Sequence, residues 1–325
     1  MSDLKLPTYG GQAVIEGVMM RGRNTAAIAM RAPDHQIVVR QEKLSGIYQS
    51  RIAKIPFLRG LIMLWDALGL GIQAITISAN LQNDENEKIE GPALYITLAI
   101  SIVFAVGLFF LTPAAIGHLA ENYLVPAITA PLPAAQAGST VEGAPTTQQP
   151  ANHSSEWAAW WGNLAEGFVR LLILVGYIWL IGKVPDIQRV FGYHGAEHKT
   201  INAFESGAEL SPESVARFSL EHPRCGTAFL LTLVLVSIVV FALLGPMPVV
   251  PRFISRVVFI PVLAGIAYEY IRWTSEHLDS PIVKILVKPN LALQHLTTRE
   301  PNLEMLEVSI AAFNAMRSGE VEISL

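Results

Sequence analysis

Cysteine is nearly absent: Cys225 is the one thiol in 325 residues. That excludes an internal disulfide framework and suits a reducing compartment. Charge is scarce as well, at 15% of residues against roughly 25% in soluble globular domains. The net charge of -4 leaves no basic surface, so a nucleic-acid partner is not expected. Between residues 91 and 169 there is not one Lys or Arg. The first ten residues are polar and include Pro7, so they lack the apolar core of a cleavable targeting peptide.

What fills the chain instead is apolar length, with 51% hydrophobic residues and a mean hydropathy of +0.40. Segments 93–112 and 227–244 carry no charge, and 164–182 carries Glu166 and Arg170, four apart on one helical face where they can pair. A fourth segment, 254–271, has Arg256 near one end and Glu269 near the other. Each approaches the roughly 20 apolar residues a membrane span requires. Lys and Arg concentrate before the first segment, between the second and third, and after the fourth. Basic loops stay inside. The expected fold is therefore an α-helical integral membrane protein of about four transmembrane helices. It carries a small cytoplasmic β-containing N-terminal region and is multi-pass, with both termini cytoplasmic.

Residues 1–51 are expected to be the β-rich segment. Around Ala32-Pro33-Asp34-His35 the pattern alternates as a hairpin should, and the Gly-punctuated run from Gly10 to Gly22 reads as one or two further strands. Segment 52–90 reads as an amphipathic interfacial helix followed by an acidic connector; a fifth span is the alternative. The outside loop, 113–163, is rich in Ala, Pro, Thr and Gln and reads as flexible. It ends at Trp157, Trp160 and Trp161, a candidate interfacial belt. Residues 183–226 form a cytoplasmic His-rich loop, and 272–325 a cytoplasmic tail.

The chemistry concentrates in that His-rich loop. His194-Gly195-Ala196-Glu197-His198 fits the pattern H-x-x-E-H. On a helix the two histidines sit one turn apart on one face, so both imidazoles can reach one metal ion. Glu197 is placed to act as a general base, and Glu205, seven residues beyond His198, can supply an oxygen ligand. His222 and Cys225 lie directly before the third apolar segment, and His277 follows the fourth. Arg224 can hold an anionic substrate group. The bland readings are a His bonded to a carbonyl, a Cys that is only a small buried hydrophobe, and a Glu197 paired with Lys199 or Arg189.

Four ordered motifs resemble a known family: 11–22 (GQAVIEGVMMRG), 193–199 (YHGAEHK), 222–227 (HPRCGT) and 277–281 (HLDSP). Together they look like the YqhQ-like bacterial membrane proteins, a domain-of-unknown-function family sometimes labelled predicted metal-dependent enzymes. The resemblance covers nearly the whole chain except the outside loop. It implies a bacterial plasma (inner) membrane setting. H-x-x-E-H also occurs in the inverted zinc peptidases, but similarity ends with those five residues.

The leading expectation is a metal-dependent enzyme at the cytoplasmic membrane surface, most simply a hydrolase. His194 and His198 are the expected ligands, joined by one of Glu205, His222, Cys225 or His277. Glu197 is the expected base and Arg224 an anchor. Zinc is the default divalent metal for mixed N, O and S donors, with iron or manganese suited to a site without the thiol. A membrane-associated substrate with an apolar part fits the location, and a homo-oligomer is left open. The alternative class is a non-enzymatic scaffold or assembly factor with a structural metal or none. A transporter is disfavoured, since the spans lack paired internal charges and inverted repeats.

Overall fold

A computed structural model describes residues 9–44, 55–83, 88, 91–124, 153–245 and 247–324. The chain is mostly helical, with one small antiparallel sheet near its N-terminus. It divides into two compact units: 1–100 with 175–233 and 261–325, and 101–174 with 234–260.

In the first unit the sheet is a meander of β1 (Gly10–Val14), β2 (Gly17–Arg21), β3 (Thr25–Arg31) and β4 (Ile37–Lys43). The expected hairpin joins β3 to β4: Ala32 N–H donates to Gln36 O, Asp34 Oδ1 accepts from Gln36 N–H, and His35 takes a positive φ of 66°. The glycine-punctuated run makes β1 and β2, joined at Glu16 with φ 51°.

Strands β2 and β3 have almost no exposed residue, because the sheet is covered on both faces. Val18, Met20, Ala27 and Ala29 belong to one apolar core with Tyr193, Leu306 and Phe313. The alternate residues Met19, Ile28 and Met30 belong to another with Val14 and Ala74. The period of two thus sorts one strand's side chains into two cores. The first core is closed by α5 (Pro185–Glu205) and α11 (Leu303–Ser324), the second by α1 (Leu58–Gln82).

Polar ties fix these layers. Glu16 accepts two bonds from the Arg189 guanidinium and one from Tyr193 Oη. Glu320 accepts from the backbone N–H groups of Asn24 and Thr25 at 2.6 and 2.8 Å. Ser78 Oγ accepts from Ile15 N–H, and Gln82 donates to Arg31 O. The segment expected as interfacial, 52–90, contains α1, whose Leu58, Trp65, Leu68 and Ile75 are all exposed. Among residues 83–90 of the acidic connector only Asn83 and Lys88 are described.

Among the described residues, four helical stretches are long and apolar enough to cross a membrane: Leu58–Gln82, Pro92–Tyr123, Trp160–Ile181 and Gly226–Leu243. The last three match the expected segments 93–112, 164–182 and 227–244. The first expected span is extended, because α2 (Pro92–Val106) continues through a π-helical turn, Gly107–Leu111, into α3 (Thr112–Leu119). The expected flexible loop 113–163 is accordingly helical at both ends, through Leu124 and again from His153; residues 125–152 lie outside the described residues, as does the Trp157 side chain.

The fourth expected span, 254–271, is a broken pair: α8 (Val249–Val258) and α9 (Ile260–Glu276). The cause is local. Pro261 has no N–H to donate to Val257 O, so the ladder cannot run through that point. The remaining helices are α4 (His153–Ile181), the short α6 (Pro212–Val215), α7 (Gly226–Leu243) and α10 (Pro281–Thr297). The His-rich loop is helical over Pro185–Glu205 and Pro212–Val215 and irregular around them, and the tail is mostly helical.

The second unit has a polar core among apolar helices. Glu166 accepts from Arg170 at 2.7 Å and from the Nε and Nη2 of Arg256, both at 2.7 Å, and lies 3.5 Å from Arg252 Nε. Arg252 also reaches Glu121 (2.6 Å) and Asn163 (2.8 Å). Arg170 donates to Ser237 Oγ and, through Nε, to Phe109 O. That carbonyl lies four residues before Pro113, which has no N–H to offer it. All three arginines and Glu166 are buried, so the expectation that the apolar segments lack paired internal charges does not hold: Glu166 and Arg170 pair within Trp160–Ile181.

Candidate metal centre

Helix α5 presents His194 and His198 on one face of its buried central stretch. Each ring has one nitrogen fixed by a backbone carbonyl: His194 Nδ1 lies 2.8 Å from Thr297 O, and His198 Nδ1 lies 2.5 Å from Leu220 O. A carbonyl can only accept, so both Nδ1 atoms carry the proton. In the neutral ring the lone pair is then on Nε2. His194 Nε2 faces Cys225 Sγ at 3.1 Å. His198 Nε2 is buried and has no hydrogen-bond partner.

One atom each from His194, His198 and Cys225 lie within 4.8 Å of one another. Zinc–nitrogen and zinc–sulfur bonds of about 2.0–2.3 Å would put tetrahedral ligands roughly 3.3–3.7 Å apart, so a small contraction closes the set around an ion. The carbonyl partners of the two Nδ1 atoms are the outer support that histidine ligands ordinarily have. Cys225 precedes α7, and Thr227 N–H points at the sulfur from 3.4 Å. A helix start favours a sulfur that carries negative charge.

Close approach explains two glycines. A Cβ on Gly195 would meet Arg299 O at 2.1 Å, so only glycine lets α5 lie against the segment after α10. A Cβ on Gly11 would meet Met19 O at 2.7 Å and Glu197 Cγ at 2.8 Å. Strand β1 thus runs directly over Glu197, and Gly11 N–H donates to its carboxylate.

Burial pushes the Glu197 carboxyl up to about 7, with His194 and the Gly11 bond pulling the other way. The cations that could have claimed it are engaged elsewhere: Lys199 with Glu300 and Arg189 with Glu16. Glu197 is therefore a buried carboxyl beside His194, able to hold or release a proton near neutrality.

Other expected site residues are placed differently. His222 is buried and packs near His198, ring centroids 5.5 Å apart, but it lies outside the group of three. Burial, with His198, Arg224 and His194 nearby, pushes its imidazole down to about 3. Gln294 brackets its backbone, accepting from His222 N–H at 3.0 Å and donating to His222 O at 2.8 Å. Glu205 is ion-paired with Arg224, so the expected oxygen ligand and the expected anion anchor occupy each other. His277 stacks on Trp273 with its Nδ1 2.8 Å from Trp273 O, apart from the group. Sequence reasoning missed the Thr297 and Leu220 carbonyls, Gly11 and Gln294; backbone acceptors leave no residue signature.

A family model described as "Protein of unknown function (DUF1385)" matches residues 55–318. The chain belongs to the DUF1385 family. A Bacillus subtilis (strain 168) protein named "Uncharacterized protein YqhQ" is 34% identical over 332 residues, covering 97% of this chain and 94% of that one. No solved structure matches. The family match spans all three residues of the group, the Thr297 and Leu220 carbonyls and Gln294. In this DUF1385 chain Gly11 and β1 lie before the matched residues.

Proposed function

We propose that this DUF1385 protein is a membrane-embedded enzyme, most simply a hydrolase, whose divalent metal is held by His194, His198 and Cys225 at the cytoplasmic surface. The observation that carries the reading is the orientation of the two imidazoles. Both Nδ1–H groups are tied to carbonyls, and the lone pairs left over turn toward each other and Cys225, one of them buried without a partner.

Zinc suits two nitrogens and a sulfur, and three protein ligands leave a coordination position open for substrate. A divalent ion there supplies Lewis acidity toward an acyl or phosphoryl group. Glu197 is the group that holds and returns a proton, from its buried place beside His194. Gly11 keeps that carboxyl still, and Gln294 ties the backbone of His222 to α10.

Topology and length support reading the chain as membrane-crossing. The sheet packs on both α5 and α11, so all three lie on one side. Between the sheet and α5 the number of crossings must be even; the runs Pro92–Tyr123 and Trp160–Ile181 supply two, which leaves α1 on the surface. Between α5 and α11 the count is again even, supplied by α7 and the α8–α9 pair. Helix α1 then rests its Leu58, Trp65, Leu68 and Ile75 stripe in the interface while its other face covers the sheet. On α4 the exposed Trp161 and Trp179 stand 18 residues apart, about 27 Å of helical rise, close to the roughly 30 Å of a bilayer core. Lys183, with its ammonium 3.4 Å from the Trp179 ring centroid, marks the basic side. The proposed placement is therefore a plasma-membrane protein with both termini cytoplasmic.

The test is elemental analysis of detergent-purified protein, wild type against His194→Ala/His198→Ala matched for folding. Near-stoichiometric metal, lost in the variant, is the expected result and identifies the ion for a hydrolase screen. Wild-type protein that stays metal-free after purification without chelators and metal add-back would sink the enzyme reading in favour of a scaffold.

A further inference from the structure

A groove of about 610 Å³ runs between the segment carrying the candidate centre and helix α10. Ser219, Glu221 and Pro223 form one wall, and Lys284, Lys288 and Leu291 stand on the other. Pro223 lies between His222 and Arg224, so this wall is the outer side of the loop that supplies Cys225. The groove is amphiphilic: Leu278, Val287 and Leu291 line it together with the two lysines.

Lys284 and Lys288 are one helical turn apart, and among the described residues neither has an ion-pair partner. The one acid in the groove, Glu221, lies 3.0 Å from His295 Nε2. His295 is seven residues beyond Lys288, about 10 Å along the helix axis. One end of the groove thus has unpaired cations, while at the other end acid and imidazole face each other. On the adjoining face of α10, Ile282, Ile285 and Leu286 are exposed at 68%, 64% and 41%. Their spacing continues to Pro289, an apolar stripe beside a cationic one. Such a helix suits an interface whose headgroups are negative.

We propose that this groove holds the headgroup of an anionic membrane lipid, with Lys284 and Lys288 on its phosphate, and that such lipids are the substrate class presented to the neighbouring centre. The lipid is favoured over a soluble anion by the apolar lining and by the exposed stripe, which a small hydrophilic anion would leave uncovered. The proposal rests on the membrane placement argued above, and its substrate clause rests on the metal centre.

The test uses the full chain in phosphatidylcholine nanodiscs containing a minor fraction of phosphatidylglycerol, with lipid retained after detergent extraction counted by native mass spectrometry. Metal content and melting temperature are measured on the same samples. Wild type should enrich phosphatidylglycerol roughly tenfold or more over its bulk share, two lysines each favouring an anionic surface. Lys284→Gln/Lys288→Gln should lose that enrichment with metal content and melting temperature unchanged, and Lys284→Arg/Lys288→Arg should retain it. Lys183→Gln, basic but outside the groove, should also retain it.

Equal retention of the two lipids by wild type would overturn the proposal, as would enrichment that survives the double glutamine variant or falls equally in Lys183→Gln. Displacement of phosphatidylglycerol by millimolar inorganic phosphate would overturn it in favour of a soluble anion. Enrichment in a metal-free wild type would keep the lipid site and remove the enzyme. Release of the chain from membranes by alkaline wash would remove the membrane placement itself.

Discussion

Two buried polar clusters in this molecule are built on opposite plans. In the second unit, Glu166 sits among Arg170, Arg252 and Arg256, and Asn163, Glu121, Ser237, Ser255 and a backbone carbonyl take guanidinium N–H groups around it. Donors and acceptors there answer each other. In the first unit, His194, His198 and Cys225 gather three atoms able to ligate within 4.8 Å, and one of their side-chain atoms, the buried His198 Nε2, has no hydrogen-bond partner. A buried cluster that satisfies itself is a clamp; one that leaves a buried nitrogen without a partner among other potential ligands has the makings of the proposed metal site. Buried polarity alone does not distinguish them. The unpartnered nitrogen does.

The contrast can be broken from either side. The largest effect is expected from Glu166→Gln, which leaves three buried arginines facing Glu121 as their one described carboxylate. Loss of one partner from a buried ionic network costs about 3–5 kcal/mol, read as a lowered thermal midpoint in detergent. A variant as stable as wild type would mean that the cluster is no clamp.

Next is the pH dependence of metal-free protein. The Glu197 carboxyl is raised from 4.5 to about 7, so the fold favours the protonated form. Its stabilising contribution is complete below pH 4.5 and is lost as pH rises toward 7, by up to about 3 kcal/mol. Glu197→Gln should flatten that limb of the melting profile. His222, lowered from 6.5 to about 3, acts in the opposite sense: its contribution is present above pH 6.5 and is lost as pH falls toward 3. A metal-free melting curve unchanged by Glu197→Gln between pH 4.5 and 7 would contradict the buried, unpaired carboxyl.

Gly11→Ala comes third. Its Cβ would press on Met19 O and Glu197 Cγ, an overpacking cost of about 1–3 kcal/mol, with activity falling further than metal content because Glu197 is displaced and the ligands are not. The smallest effect on stability belongs to Cys225→Ser: under about 1 kcal/mol in metal-free protein, since a hydroxyl can keep the Thr227 and His194 contacts. Bound metal, by elemental analysis, should nevertheless drop sharply. A large stability loss without metal would make Cys225 a packing residue.

Local chemistry in the sequence made some of this legible. Ala32-Pro33-Asp34-His35 announced a turn because Pro and Asp act on their own backbone. The spacing of His194 and His198 announced a shared face because helical periodicity is fixed. The pairing of Glu166 with Arg170 was legible as an i,i+4 contact, but Arg252 and Arg256 were not, since they come from 82 or more residues away in sequence. The break at Phe259 could have been found at Pro261, and was hidden by a run apolar enough to read as one span. Glu205 and Arg224 looked like site residues because each was judged alone; the structure pairs them.

Helix α5 draws its neighbours from across the chain: Gly11 over Glu197, Leu220 O on His198, Thr297 O on His194, Ser309 on Thr200. During synthesis the first of these exists long before α5, and the last only after some hundred more residues have left the ribosome. The imidazoles are therefore made early and aimed late. A nascent chain halted between His198 and Thr297 would carry both histidines with at least one of them free to swing, so an ion met at that stage would find an unfinished ligand set. On the metal reading proposed above, loading belongs to the completed protein, and arrested translation intermediates are a direct way to time it.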